Sequence, residues 1–245
     1  MSLSEPTTLE QKASETRAEV YVPGDMLTLI NINPVDGLEH FLKAVEGQGR
    51  QGRIKCDGRS VLLVSPGVPH ESAGVRIDMM LREVFDVLDI STRSMASTLY
   101  RLTEPDRNKA IEPDTSYYIQ NVGKVLGRNE MDLSVTPPPD LVVEVVDKNP
   151  AMRALGISLA LRVPEVWVYK VRTQSLVFYG LTRGPGQPDS YAALERSRVL
   201  PFLRPEDVAP WGALTDEDDK DFRRRARAWV ETELLPRYRA GGAGA

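Results

Sequence analysis

The chain has 245 residues, 41% of them hydrophobic, which is enough for one substantial core. Its 31 basic and 35 acidic residues leave a net charge of −4, which argues against a protein that coats nucleic acid along its whole surface. One cysteine (Cys56) and two histidines (His40 and His70) exclude a disulfide framework and a cysteine- or histidine-rich zinc site, so any metal must sit among carboxylates.

Residues 1–25 lack the basic start and apolar stretch of a secretory signal and are expected to be a polar, disordered lead-in. No apolar run reaches the roughly 20 residues that span a bilayer, so no membrane partner is expected, and a reducing, cytoplasmic setting fits best. Leu38, Phe41, Leu42 and Val45 share one face of a first helix. In RIKCDGRSVLLVS, Asp57-Gly58 separates two short strand-like runs, the signature of a tight hairpin. Arg50, Arg53, Lys55 and Arg59 cluster around it, either as phosphate contacts or as the charges of an exposed hairpin. From Glu71 to Asp89, the spacing of Val75, Met79, Leu81, Val84 and Leu88 predicts a long helix, with Arg76, Asp78, Arg82, Glu83 and Asp86 on its solvated side.

The period then changes to that of strands, at Ser97 to Leu102 and Ile111 to Gln120. Three prolines, 137–139, block regular structure before LVVEVV (Leu141 to Val146), which is apolar on both faces except for one glutamate, as a central strand is. A short helix is expected from Ala151 to Leu161, followed by a hairpin of VPEVWVYKV and SLVFYGL and a turn-rich loop at 184–188. A closing amphipathic helix at about 216–235 has acids at its start, arginines after them, and Phe222, Ala226, Trp229 and Leu234 facing inward. The order of elements gives an α/β fold, a mixed sheet layered with helices. Expected boundaries are the lead-in at 1–25, one domain at 26–211, and the closing helix and tail at 212–245.

Glu144 is the most unusual residue, because a carboxylate in a strand buried on both faces costs several kcal/mol unless paired, protonated or metal-bound. It is either a buried ion-pair partner of an arginine such as Arg153 or a functional acid. Asp140 lies on the same face, but four residues of strand separate the two by roughly 13 Å, too far to share one ion easily. Asp140 is therefore expected to cap the strand mouth. Asp114, on the neighbouring candidate strand, is the better partner for Glu144, although an aspartate after proline also suits a strand entry. His70 beside Glu71 fits either a general base or a helix-start residue.

EPDTSYYIQN (from Glu112), DLSVTPPPDLVVEV and VPEVWVY closely resemble the Uma-type restriction endonuclease family of the PD-(D/E)XK nuclease superfamily. The resemblance extends more loosely from the Leu38 helix to the Arg227-Ala228-Trp229 segment. It implies a restriction endonuclease-like core in which Asp114 and Glu144 hold magnesium or manganese. Glu71 would assist from the first core helix, Asp140 would orient a ligand or water, and DNA would be the substrate. The superfamily's lysine is missing, since Val146 and Ala154 stand at its two usual positions. Lys148 and Arg153 are the candidate substitutes, although arginine stays protonated and is a poor base. The resemblance leaves two readings open, a metal-dependent endonuclease or a binding protein of the same fold without turnover. A homodimer is also expected, paired through the Trp229 helix.

Overall fold

The computed structural model describes residues 17–22, 25–46, 52–102, 108–147, 151–184 and 186–241. Pro113 organises the molecule. It divides the run from Ile111 to Gln120, because proline has no amide hydrogen to donate to a ladder. The chain crosses there from one sheet to another through Glu112-Pro113-Asp114.

The first sheet holds β1 (Arg17–Val22), β2 (Asp25–Asn31), β3 (Arg53–Cys56), β4 (Ser60–Ser65), β6 (Tyr100–Leu102), β7 (Lys109–Ile111) and β9 (Met131–Asp132). Among the described residues its order is β1-β2-β4-β3-β7-β6-β9, antiparallel except where β6 meets β9. The second sheet holds β5 (Arg93–Ser94), β8 (Thr115–Tyr118), β10 (Leu141–Val146), β11 (Glu165–Lys170), β12 (Ser175–Thr182) and β13 (Ser190–Leu194), in the order β13-β12-β11-β10-β8-β5. Its one parallel pair is β10 with β11, which are joined by a helical crossover.

The helices are α1 (Gly37–Glu46), α2 (Val68–Val87), α3 (Val122–Val125), α4 (Ala151–Ala160), α5 (Pro205–Gly212), α6 (Asp219–Trp229) and α7 (Leu235–Ala240). A π-helical turn, Val230–Leu234, joins the last two. The chain is thus α/β, as expected, with mixed sheets flanked by helices. β10 is central and buried along its whole length. Leu141, Val143 and Val145 face α2, α5 and α6, while Val142 and Val146 face α4 and the first sheet. Among the described residues no helix is long and apolar enough to cross a membrane.

Several expectations change. The lead-in is shorter than 25 residues, because Arg17–Val22 pairs with β2; residues 1–16 and 23–24 lie outside the described residues. The core face of α2 is Ala73, Ile77, Met80, Leu81, Val84 and Phe85, with Leu88 just past its end, and Val75 instead faces outward, 49% exposed. Arg76 and Glu83 are buried rather than solvated, because α6 lies over them. Arg76 pairs with Asp219 at 2.8 Å and sits 4.7 Å from the centre of the Phe222 ring, and Glu83 accepts from Arg223 at 2.8 Å. The strand expected over Ser97 to Leu102 starts only at Tyr100, and β13 fills part of the segment after the turn-rich loop.

The closing helix begins at Asp219, where the Asp218 carboxylate caps it by accepting the amides of Lys220 and Asp221. Phe222, Ala226, Val230 and Leu234 enter the same core as α2 and β10, with Trp229 packed beside them. The apolar face that was to pair two copies therefore lies inside the chain, which removes the argument for a dimer through it.

Candidate active site

β3 is a central strand, so its two faces meet different surroundings. Ile54 and Cys56 point into the small core under α1. Arg53 and Lys55, of the opposite parity, point towards the second sheet. There Lys55 Nζ donates to Glu144 Oε2, and the two side chains are among the most buried charges in the protein, at 2% and 0% exposure. Arg53 lies 2.7 Å from Asp114 Oδ1 and 2.8 Å from Glu71 Oε1. His70 Nε2, at the start of α2, is 3.0 Å from Asp114 Oδ1.

The register of β8 on β10 brings the acids together. Thr115 is opposite Val143, so one further step puts Asp114 opposite Glu144. Asp114 Oδ2 accepts the amide of Val145 at 2.6 Å, which fixes the carboxylate at that step. Burial pushes Asp114 up, but the hydrogen bond from His70 and the charges of His70, Lys55 and Arg53 outweigh it and hold the carboxyl at about 2. For Glu144 burial prevails, and with the charge of Asp114 it raises the carboxyl above its ordinary value despite Lys55. Burial also opposes the Lys55 charge, yet Glu144 and Asp114 hold its ammonium on more firmly than usual. The two acids are thus driven apart, Asp114 a fixed anion and Glu144 the more basic.

Glu144 differs from the buried acids Glu165 and Asp140 in what its oxygens do. Both oxygens of Glu165 are used, accepting Trp167 Nε1 at 2.6 Å and the amides of Arg198 and Val199 at 2.7 and 3.3 Å. Asp140 Oδ2 accepts the amides of Ile119 and Asn121 at 2.7 and 2.9 Å, and its Oδ1 accepts Asn121 Nδ2 at 2.5 Å. Glu144 Oε1 is buried with no hydrogen-bond partner, a costly state that a cation would relieve. Among the described residues no group of three or more His, Cys, Asp or Glu side chains is arranged to hold a metal. Two carboxylates nonetheless fit magnesium, which keeps waters and substrate phosphates as its other ligands. Glu71 and Asp114 open, with Arg53, Gly74, Val75, Asp78, Ala96, Ser97 and Thr115, onto a cleft of about 200 Å³. The cleft sets one cation, Arg53, against three acids, Glu71, Asp78 and Asp114, a lining suited to a cation.

The other candidate residues fall elsewhere. The bonds of Asp140 make it a clamp on the end of β8. Asp140→Asn is expected to cost about 1 kcal/mol in urea unfolding through the lost charge-assisted bonds, and an unchanged midpoint would remove that role. Arg153 does not pair with Glu144 and does not replace the missing base, because its guanidinium donates to Asp57 and Ser60 in the β3–β4 turn. Arg153→Ala should cost about 1 kcal/mol and raise hydrogen exchange in that turn. Lys148 and Arg50 lie outside the described residues. Ala154 is fully buried on α4 and Val146 packs in the same cluster, so neither position supplies a base.

Sequence reasoning placed Lys55 on the hairpin but not against Glu144, which is 89 residues away. The available signal was parity: Arg53 and Lys55 share a face, and Ile54 and Cys56 show the other face to be core.

Comparison with known proteins gives the family. Among curated proteins none matches the chain. A crystal structure described as "a putative nuclease belonging to DUF820", from Anabaena variabilis, is similar at 13% identity with a TM-score of 0.47, covering 71% of this chain and 98% of that one. The sequence model of the family Uma2, described as "Putative restriction endonuclease", matches residues 38–212, from α1 to the end of α5, and so includes β3, Glu71, Asp114 and Glu144. The chain, an α/β protein, therefore belongs to the Uma2 family.

Proposed function

We propose that this protein is a divalent-metal-dependent endonuclease that hydrolyses DNA phosphodiester bonds. The observation that supports this most directly is the fully buried Glu144, with one oxygen on Lys55 and the other without a hydrogen-bond partner, one strand step from Asp114. Asp114 and Glu144 would hold magnesium or manganese, which when bound helps to activate a water and draws charge from the phosphoryl oxygens. Asp114 enters this role already ionised, so accepting a cation requires no loss of a proton there. Arg53 bridges Asp114 and Glu71 at the cleft and is placed to exchange a carboxylate for a phosphate oxygen, which a guanidinium binds well. In the reaction the oxygen of water forms a bond to phosphorus and the bond to one ester oxygen breaks. The leaving oxygen ends with a proton that balances the one lost by water.

A second reading has one observation in its favour. Arg53 and Lys55 already neutralise the acid pair without a metal, as a nucleic-acid-binding protein without turnover would need. Calorimetric titration with magnesium and manganese, on wild type and Glu144→Gln, separates the two. Uptake of one ion by wild type, lost in the variant, with nicking of supercoiled plasmid in parallel, is the expected result. Plasmid binding without metal uptake favours the second reading.

A further inference from the structure

We propose that Lys55, on β3, is the catalytic cation of this site and replaces the lysine that β10 and α4 lack; this rests on the metal-dependent reading above. Lys55 approaches from the first sheet, whereas Val146 and Ala154 belong to the second sheet and the helix that covers it. Its ammonium touches Oε2 of Glu144, so it is immediate neighbour to whatever binds the partnerless Oε1. A cation held at that oxygen would lie on the same carboxylate as Nζ.

The position of Lys55 is held from several sides. It pairs with Leu62 on β4 and with Ile111 on β7. The amide of Ile54 donates to Glu112 Oε2 at 2.8 Å, and the amide of Glu112 donates to the carbonyl of Ile54 at 2.8 Å. Gly58, at φ +89°, allows the tight turn, and Arg153 ties Asp57 and Ser60 of that turn to α4. Fixing a donor before the reaction is what makes it effective on transition-state charge. Stability alone gives little reason for the pair, since well-packed apolar residues commonly replace a buried ion pair without loss. Lys55 would keep its own protons and act by hydrogen bonding. It would hold the attacking water or a non-bridging oxygen and offset charge as the new bond to phosphorus forms.

The test uses the full chain as wild type, Lys55→Gln and Lys55→Arg. Magnesium and manganese uptake is measured by calorimetry, and supercoiled plasmid nicking is split into kcat and KM. Lys55→Gln is expected to bind either ion at least as tightly, having lost a competing cation, and to lose about 10²–10³-fold in kcat, as on removing one transition-state donor. Lys55→Arg keeps the charge and the fold, binds metal, and falls between the two in kcat; it decides the matter if Lys55→Gln does not fold. Wild-type nicking by Lys55→Gln overturns the proposal. So does joint loss of metal uptake and nicking in a folded Lys55→Arg, which would make Lys55 a structural counter-ion. Metal uptake without nicking in wild type rejects the role of Lys55 and leaves the metal site standing. Absence of uptake in wild type rejects both.

Discussion

Glu144→Leu is expected to destabilise the protein by about 3–5 kcal/mol in urea unfolding at neutral pH, because it leaves the Lys55 ammonium buried without its partner. Lys55→Met should fall at the lower end of that range. Its orphan is a carboxyl that burial already pushes up, so Glu144 can take a proton and lose its charge. The double variant Lys55→Met/Glu144→Leu is expected within about 1 kcal/mol of wild type, since two apolar side chains of similar volume replace two desolvated charges. The double-mutant cycle therefore yields a coupling of several kcal/mol. If the double variant loses as much as the singles summed, the two side chains do not interact, and Lys55 is not the partner of Glu144. If it is as stable as wild type but takes up no metal, the ion pair serves the site rather than the fold.

Much of the architecture was legible in the sequence because it follows from local pattern. LVVEVV has no polar face to show water, so it had to lie inside a sheet, and Asp57-Gly58 could only be a turn. What was missed depends on where distant segments land. Arg76 and Glu83 have the spacing of a solvated helix face, and only the arrival of α6, more than 130 residues later, buries them. Val75 fits the apolar stripe of α2, yet the stripe is wider than the core it meets, and the residue ends at the cleft. The acid pair was partly legible, since a glutamate in a buried strand needs a reason and Asp114 sits one strand away. The partner of that glutamate was not, because an ion pair between two sheets leaves no trace in spacing. Arginine was the expected partner, and Arg153 was nearest in sequence. The structure instead uses Arg153 to pin the turn of the strand that delivers Lys55.

Acid unfolding should reveal the state of Asp114. Its carboxyl is held at about 2 in the folded protein, against an ordinary 3.8. The folded value is the lower one, so the contribution to stability is complete above about pH 4 and is lost as the pH falls through about 2. A shift of this size corresponds to about 2 kcal/mol. Wild type and Asp114→Asn should therefore differ most at pH 5, and the gap in unfolding free energy should narrow steadily towards pH 2.5. Glu144 acts in the opposite sense, since its folded value is raised, and part of that rise comes from Asp114, so the comparison is repeated in a Glu144→Gln background to remove its contribution. Urea unfolding at half-unit steps of pH measures the gap. A gap constant from pH 5 to 2.5 would mean that His70, Lys55 and Arg53 do not hold the Asp114 carboxylate, and the fixed anion proposed as a metal ligand would be lost with it. A narrowing gap would leave Asp114 fully ionised at neutral pH, as a ligand must be to take a divalent cation without first releasing a proton.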